Sequence, residues 1–244
     1  IGVDVARSAK TSNNASAIVV VRVRRDAKER VRELQAVNVV KLPNGLNFKQ
    51  QTVICKQMCA LYNAKAVVID INGLGKGLLD YMLDRNILDD GTELEPYDMI
   101  NTDYRSDYRD ARKLVYGIEA QKNNTEMITN FINVVDGNIL RILEHFDVNK
   151  ALDIPDEDFM VSDVLPFLRT ENFIAEVQNI TVETIPGTGK LKVGQVVKAD
   201  KDIYSAMIQV CWYVMAFCND ALPDEDEDFA SFFSGFISQP KIKR

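Results

Sequence analysis

The first third of the chain is a series of short apolar runs separated by polar turns. IGVDVA (1–6) reads as a strand, AIVVVRVRR (17–25) as a second and VRELQAVNVVKL (31–42) as a third. The second and third are rich in β-branched residues, and DAKER between them has the length of a hairpin turn. The period then lengthens. In FKQQTVICKQMCALYNA (48–64), Ile54, Met58, Leu61 and Tyr62 recur as i, i+4, i+7 and i+8, which predicts an amphipathic helix. AKAVVID follows as a fourth strand, and a helical crossover permits it to lie parallel to the first. In that arrangement the carboxyl ends of both strands share one sheet edge, where Asp4 and Asp70 can meet.

The later pattern is mostly helical. RDARKLVYGIEAQ (109–121) and MITNFINVVDGNILRILEHF (127–146) both show a helical period, the second with a break at Asp136-Gly137. LDIPDEDF (152–159) reads as an acidic connection. NITVETIPGTGKLKVGQVV (179–197) alternates on both sides of Pro186-Gly187-Thr188-Gly189 and predicts a hairpin. DIYSAMIQVCWYVMAFCND (202–220) predicts an apolar helix packed on the sheet. The fold class is therefore α/β: a mixed central sheet of three antiparallel strands plus parallel ones, flanked by helices, with a β-hairpin before the last helix. Residues 1–221 read as one domain. Residues 222–244 read as a tail: the acidic run PDEDED, an aromatic patch FASFFSGF and a basic end.

Composition narrows the function classes. The 244 residues are 46% apolar, yet no run approaches the roughly 18 uninterrupted apolar positions of a membrane span, so no membrane is expected. The chain begins at Ile1 without an initiator Met or a leader, which reads as a fragment of a longer protein. Cys55, Cys59, Cys211 and Cys218 lack compact zinc spacing and have only His145 to join them. They read as apolar helix-face thiols of a reducing compartment, and His145 as a half-buried helix residue. The net charge of −7 argues against a general nucleic-acid coat. Part of that acidity belongs to PDEDED, however, and carboxylates that bind metal would also add to it.

Two glycine patterns invite a phosphate-binding reading. GTGK (187–190) lacks the Walker pattern's first glycine, since position 184 is Thr, and has Leu191 where Ser or Thr is required. It reads as a hairpin turn. AVVIDINGLGKGLLDYM (66–82) gives G-x-G-x-G rather than G-x-G-x-x-G, and Asp70 stands where a pyrophosphate would lie. The glycines more readily let the chain turn away from the sheet edge, leaving Asp70 to face Asp4 or to cap the next helix.

The carboxylates make the better constellation. Asp4 lies within an apolar strand, where an unpaired charge is costly. Asp70 ends another strand, and Asp200 and Asp202 open the last helix, whose dipole tolerates them. Such acids, brought together, raise one another's pKa unless a divalent cation neutralises them, and hard oxygen ligands suit Mg²⁺ or Mn²⁺. Helix capping and solvated charge are the competing readings.

In this order and at these separations, IGVDVA, SAIVVV, VVIDINGLGKGLLDYM and KADKDIYSAMIQVCWYV resemble the C-terminal nuclease domain of the large terminase subunit of tailed bacteriophages, an RNase H-like fold. The resemblance covers roughly residues 1–220. It implies Asp4, Asp70 and Asp202 as catalytic acids, with Asp200 as a substitute or second contact at the third position. It also implies two Mg²⁺ or Mn²⁺ ions and hydrolysis of double-stranded viral DNA during genome packaging. Lys190, Lys192, Lys198 and Lys201 would steer the DNA, unless each is only a solvated surface charge. The implied partners are a packaging ATPase domain, whose Walker patterns are missing from these residues, a small terminase subunit and a portal. The implied location is the host-cell cytoplasm rather than the mature virion. Two other classes compete: an actin-like or sugar-kinase-like ATP-binding domain with its phosphate turn at DVARSAKTSNNAS, and a portal-docking module acting through the tail.

Overall fold

β-Branched runs form the centre of the molecule. The computed structural model describes residues 1–6, 15–102, 104–144 and 161–219. The strands are β1 (Gly2–Asp4), β2 (Ala17–Arg25), β3 (Val31–Lys41), β4 (Val67–Asp70), β5 (Asn86–Ile87), β6 (Glu93–Leu94), β7 (Tyr97–Met99), β8 (Arg112–Ile118), β9 (Leu140–Arg141), β10 (Ile180–Thr184) and β11 (Leu191–Gln195). The helices are α1 (Phe48–Leu61), α2 (Gly75–Leu83), α3 (Ala120–Asp136), α4 (Val161–Gln178) and α5 (Asp202–Phe217). Seven strands form one sheet in the order β7-β8-β4-β1-β2-β3-β9. β1, β2 and β3 are antiparallel, whereas β1, β4, β8 and β7 run parallel, as does β9 to β3. The expected pairing of the fourth strand with the first is thus present: Gly2 lies opposite Val68 and Val3 opposite Ile69.

Each face of the sheet carries its own core. α3, α4 and α5 cover one face, where Val19, Leu34 and Val68 meet Phe131, Phe173, Met207 and Trp212. α1 and α2 cover the other, where Ile18, Val20 and Ile69 meet Cys55, Leu78 and Met82. Ala206 and Val210 of α5 rest directly on Gly2, so the last helix crosses the strand that carries Asp4.

The structure corrects three expectations. Residues 109–121 are not a helix: their centre is β8, which lies between β7 and β4. A parallel strand covered on both faces reads as a continuous apolar run, and KLVYGI offers no alternation that separates it from a helix. Its Leu114 and Val115 serve one core while Ile118 serves the other. The helix expected over 127–146 begins earlier, at Ala120, and ends at the Asp136-Gly137 break, after which Leu140–Arg141 adds a short strand beside β3. Finally, α1 turns only part of the expected face inward: Ile54 and Met58 pack against the core, but its last two positions do not. Leu61 is 72% exposed and Tyr62 is exposed too, while Gln51, Thr52, Cys55, Lys56 and Cys59 are buried.

That polar seam is tolerated because its groups are bonded. Lys56 Nζ donates to the carbonyls of Asp84, at 2.5 Å, and Glu95, at 2.8 Å, and lies 5.3 Å from the centre of the Tyr97 ring. Burial lowers its pKa to about 8. α4 was not announced by the hydrophobic pattern, because Pro166 interrupts it. The buried Thr170 hydroxyl is satisfied by donating to the Pro166 carbonyl at 2.8 Å. The acidic connection, His145 and the tail beyond residue 221 lie outside the described residues. Among the described residues no helix is long and apolar enough to cross a membrane.

Candidate metal centre

Asp4 closes β1, and a polar knot holds the chain just beyond it. Ser16 Oγ donates to the Ala6 carbonyl at 3.1 Å and accepts the Ala6 N–H at 2.8 Å. The Gln51 amide donates to the Ala6 and Leu46 carbonyls, both at 2.9 Å, and joins Ser16 Oγ at 2.7 Å. The buried glutamine of α1 thus ties the end of β1 to the start of β2.

Asp70 ends β4, next to β1 and parallel to it. Its Oδ1 accepts the N–H of Asn72 at 3.1 Å and of Ala120 at 3.2 Å. Asp70 therefore does not cap α2, the next helix in sequence. It serves the first residue of α3, whose own N-cap, Glu119, makes no side-chain bond there. The glycines after Asp70 make a turn, as the sequence suggested. Gly73 has φ +65°, and a Cβ on Gly75 would lie 1.7 Å from the Asp70 carbonyl oxygen. Gly75→Ala is accordingly expected to push the Asp70 backbone away, costing about 1–3 kcal/mol and several degrees of Tm. A thermal melt checks this; an unchanged Tm would mean that α2 moves without cost.

Asp4 and Asp70 open onto one cleft of about 380 Å³ between α3 and α5. Lys192 of the β10–β11 hairpin and Lys201 flank it, and Ser205 and Gln209 of α5 line it. The Asp4 carboxyl is pushed up to about 7, first by burial, then by repulsion from Asp202 and Asp70. Asp202, the first residue of α5, is 1% exposed. Its Oδ2 accepts the Ala15 N–H at 2.9 Å and faces Lys41 Nζ at 3.7 Å, while its Oδ1 is buried without a hydrogen-bond partner. Burial raises its pKa despite these bonds.

Asp200 takes another place. It is half-exposed, pairs with Lys41 Nζ at 2.6 Å, and lines a separate cavity with Lys41, Asn172 and Glu176. The lysines also divide. Lys190 lines a groove with Gln121 and Asn124 on the other flank of the hairpin, Lys192 lines both the groove and the cleft, and Lys198 is exposed between the hairpin and α5. The hairpin is pinned at two points. Asn124 Nδ2 donates to the Leu191 carbonyl and Thr125 Oγ1 accepts the Leu191 N–H, while the Asn179 side chain bonds both N–H and C=O of Val197. A strand follows GTGK, as expected for a hairpin turn.

The donor set consists of hard oxygens, and the unpartnered Oδ1 of Asp202 and the repulsion on Asp4 both call for a cation. Such a group fits these residues by chemistry. As the side chains stand, no three His, Cys, Asp or Glu among the described residues converge closely enough to share an ion.

The architecture has a counterpart among solved structures. It matches the crystal structure of the large terminase nuclease from thermophilic phage G20c with bound magnesium, with a TM-score of 0.50 and 11% identity over 86% of this chain and 78% of that one. The two share a fold. The mixed sheet flanked by helices is RNase H-like, and at this identity the match to the phage nuclease speaks for the fold alone. No protein-family model and no curated protein matches the chain.

Sequence reasoning passed over Lys41, Gln51, Glu176 and Gln209. Gln209 had a visible signal, since it is the amide in the apolar run AMIQVCWYVMAF; it is 3% exposed and its Oε1 has no partner. Glu176 and Lys41 had none, because only the tertiary fold brings them to Asp202.

Proposed function

We propose that the chain is a divalent-metal-dependent endonuclease that cuts double-stranded DNA. One observation carries the reading: carboxylates from neighbouring parallel strands open onto a single cleft flanked by lysines. Asp4 and Asp70 would hold Mg²⁺ or Mn²⁺, one or two ions, with Asp202 contributing its unpartnered oxygen. Asp200, already paired with Lys41, is the weaker candidate for the third position. A bound divalent ion supplies the Lewis acidity that phosphodiester hydrolysis requires. The protein's own residues do the rest. The Ser16–Gln51 knot and the Ala120 N–H hold the two acids on rigid elements, while Lys192 and Lys201 draw a phosphate backbone to the cleft. The pinned hairpin keeps Lys192 at the mouth, with Lys190 on its far flank and Lys198 at its base extending the positive track.

The shared fold and the sequence resemblance favour a phage terminase setting for this activity. In that setting the nuclease domain spans about 1–221 and cuts viral DNA as packaging starts and ends, in the host-cell cytoplasm. It works beside a packaging ATPase, a small terminase subunit and a portal. The phosphate turn that an ATP-binding reading would use, DVARSAKTSNNAS, lies mostly outside the described residues. Incubating supercoiled plasmid with the chain in Mn²⁺ or Mg²⁺ tests the activity. Nicked and linear DNA that EDTA suppresses is the expected result; intact plasmid in both metals would refute it.

A further inference from the structure

Glu176 occupies a position that is unfavourable for a carboxylate. It lies in the last turn of α4, where the carbonyl end of the helix repels negative charge, and it is 7% exposed. It also feels the charge of Asp202. Neither α4 nor its core gains from an acid there. What Glu176 provides is a bond to another helix: its Oε2 accepts the N–H of Tyr204, 28 residues downstream, at 2.8 Å.

α5 needs that bond. Its N-cap, Lys201, offers no side-chain acceptor, so the first-turn N–H groups depend on other elements. That same turn begins with Asp202, one of whose oxygens is held by Ala15 N–H and Lys41 while the other has no partner. Ile203 and Tyr204 are buried beside it, in the core that α3 and α4 also line. The orientation of Asp202 is therefore set from one side by Ala15 and Lys41 and from the other by the carboxylate that caps the turn.

We propose that Glu176 is a positioning residue that caps α5 from outside and so fixes how Asp202 orients its unpartnered oxygen. The proposal rests on the metal-dependent reading of the cleft. It assigns the third acidic position to Asp202, with Asp200 as the counter-ion of Lys41.

Glu176→Ala, Glu176→Met and Glu176→Gln in the full chain test it. Met fills the volume without accepting a bond, and Gln keeps an acceptor oxygen without the charge. Mn²⁺ affinity by calorimetry is expected to weaken about tenfold in the Ala and Met chains, with kcat for cutting reduced to a similar degree and KM for DNA unchanged. Gln is expected to restore both. In an Asp202→Asn background, Glu176→Ala should cause no further loss of Mn²⁺ affinity. A fall in Tm alone, with Mn²⁺ affinity and kcat at wild-type values, would overturn the proposal, as would a Gln chain as impaired as Ala. If neither non-accepting variant folds, the Gln chain decides: wild-type affinity and kcat support the cap, and loss of both overturns it. A wild-type chain that neither binds Mn²⁺ nor cuts DNA would remove the nuclease reading and this proposal together. An active wild type with indifferent variants would remove only the proposal.

Discussion

Asp70→Asn is expected to abolish DNA cutting, lowering kcat by about 10³-fold or more while the fold survives. The asparagine oxygen can still accept the Asn72 and Ala120 N–H groups that Oδ1 of Asp70 receives, so the start of α3 keeps its partner. What disappears is a negative charge at the cleft, the property that a divalent ion requires. The substitution thus separates the observed capping of α3 from the proposed binding of metal. Plasmid nicking over a Mn²⁺ titration, beside a thermal melt, measures both. A variant that melts as wild type and does not cut supports the metal role. A variant that cuts at the wild-type rate would reduce Asp70 to a cap.

The second large effect runs in the opposite direction. Without metal, Asp4→Asn is expected to stabilise the protein above neutral pH. The folded-state pKa of Asp4 is about 7, raised from 3.8 by burial and by Asp202 and Asp70. The native state therefore holds this proton more tightly than the unfolded chain does. The stability linked to Asp4 is fully present below about pH 4, declines as pH rises toward 7, and levels off above it. A shift of this size corresponds to roughly 2–4 kcal/mol after allowing for partial solvent relaxation. In EDTA the wild type and Asp4→Asn should melt together near pH 4, and the variant should melt roughly 5–10 °C higher at pH 8. Saturating Mn²⁺ at pH 8 should stabilise the wild type far more than the variant. A variant less stable than wild type at pH 8 in EDTA would show that the Asp4 carboxylate serves the fold, through bonds such as the one it accepts from Val5, and not the ion.

These effects involve residues that were differently legible in the sequence. β2 and β3 could be read almost to the residue, and β4, the hairpin and α5 to within a few residues, since each is a clean local pattern bounded by turn residues or a charged cap. Asp4 and Asp70 stood out because one is a charge within an apolar run and the other ends one. Elements whose identity depends on their neighbours were not legible. β8 became a strand only by lying between β7 and β4. α1 buried Gln51 and Lys56 because Ala6, Leu46, Asp84 and Glu95 offer carbonyls to them, and an apolar period has no term for that. Glu176 is the extreme case: its meaning depends on Tyr204 and Asp202, which the fold brings to it from the far side of the hairpin.

The same distinction explains why four aspartates did not form one cluster. Sequence spacing placed Asp200 and Asp202 together, but helix geometry turns Asp202 inward beneath Ala15, while Asp200 stays half-exposed and takes Lys41. Lys41, at the end of β3, reaches both. A basic residue that separates two neighbouring acids cannot be inferred from either acid's surroundings in the chain.

The proposed nuclease requires that the cleft between α3 and α5 bind a divalent ion through Asp4 and Asp70. Its most direct test is an anomalous difference map from a crystal of this chain soaked in Mn²⁺. A peak contacting carboxylate oxygens of both Asp4 and Asp70 is the expected result. A map with no peak in that cleft, under conditions where the wild type cuts DNA, would contradict it.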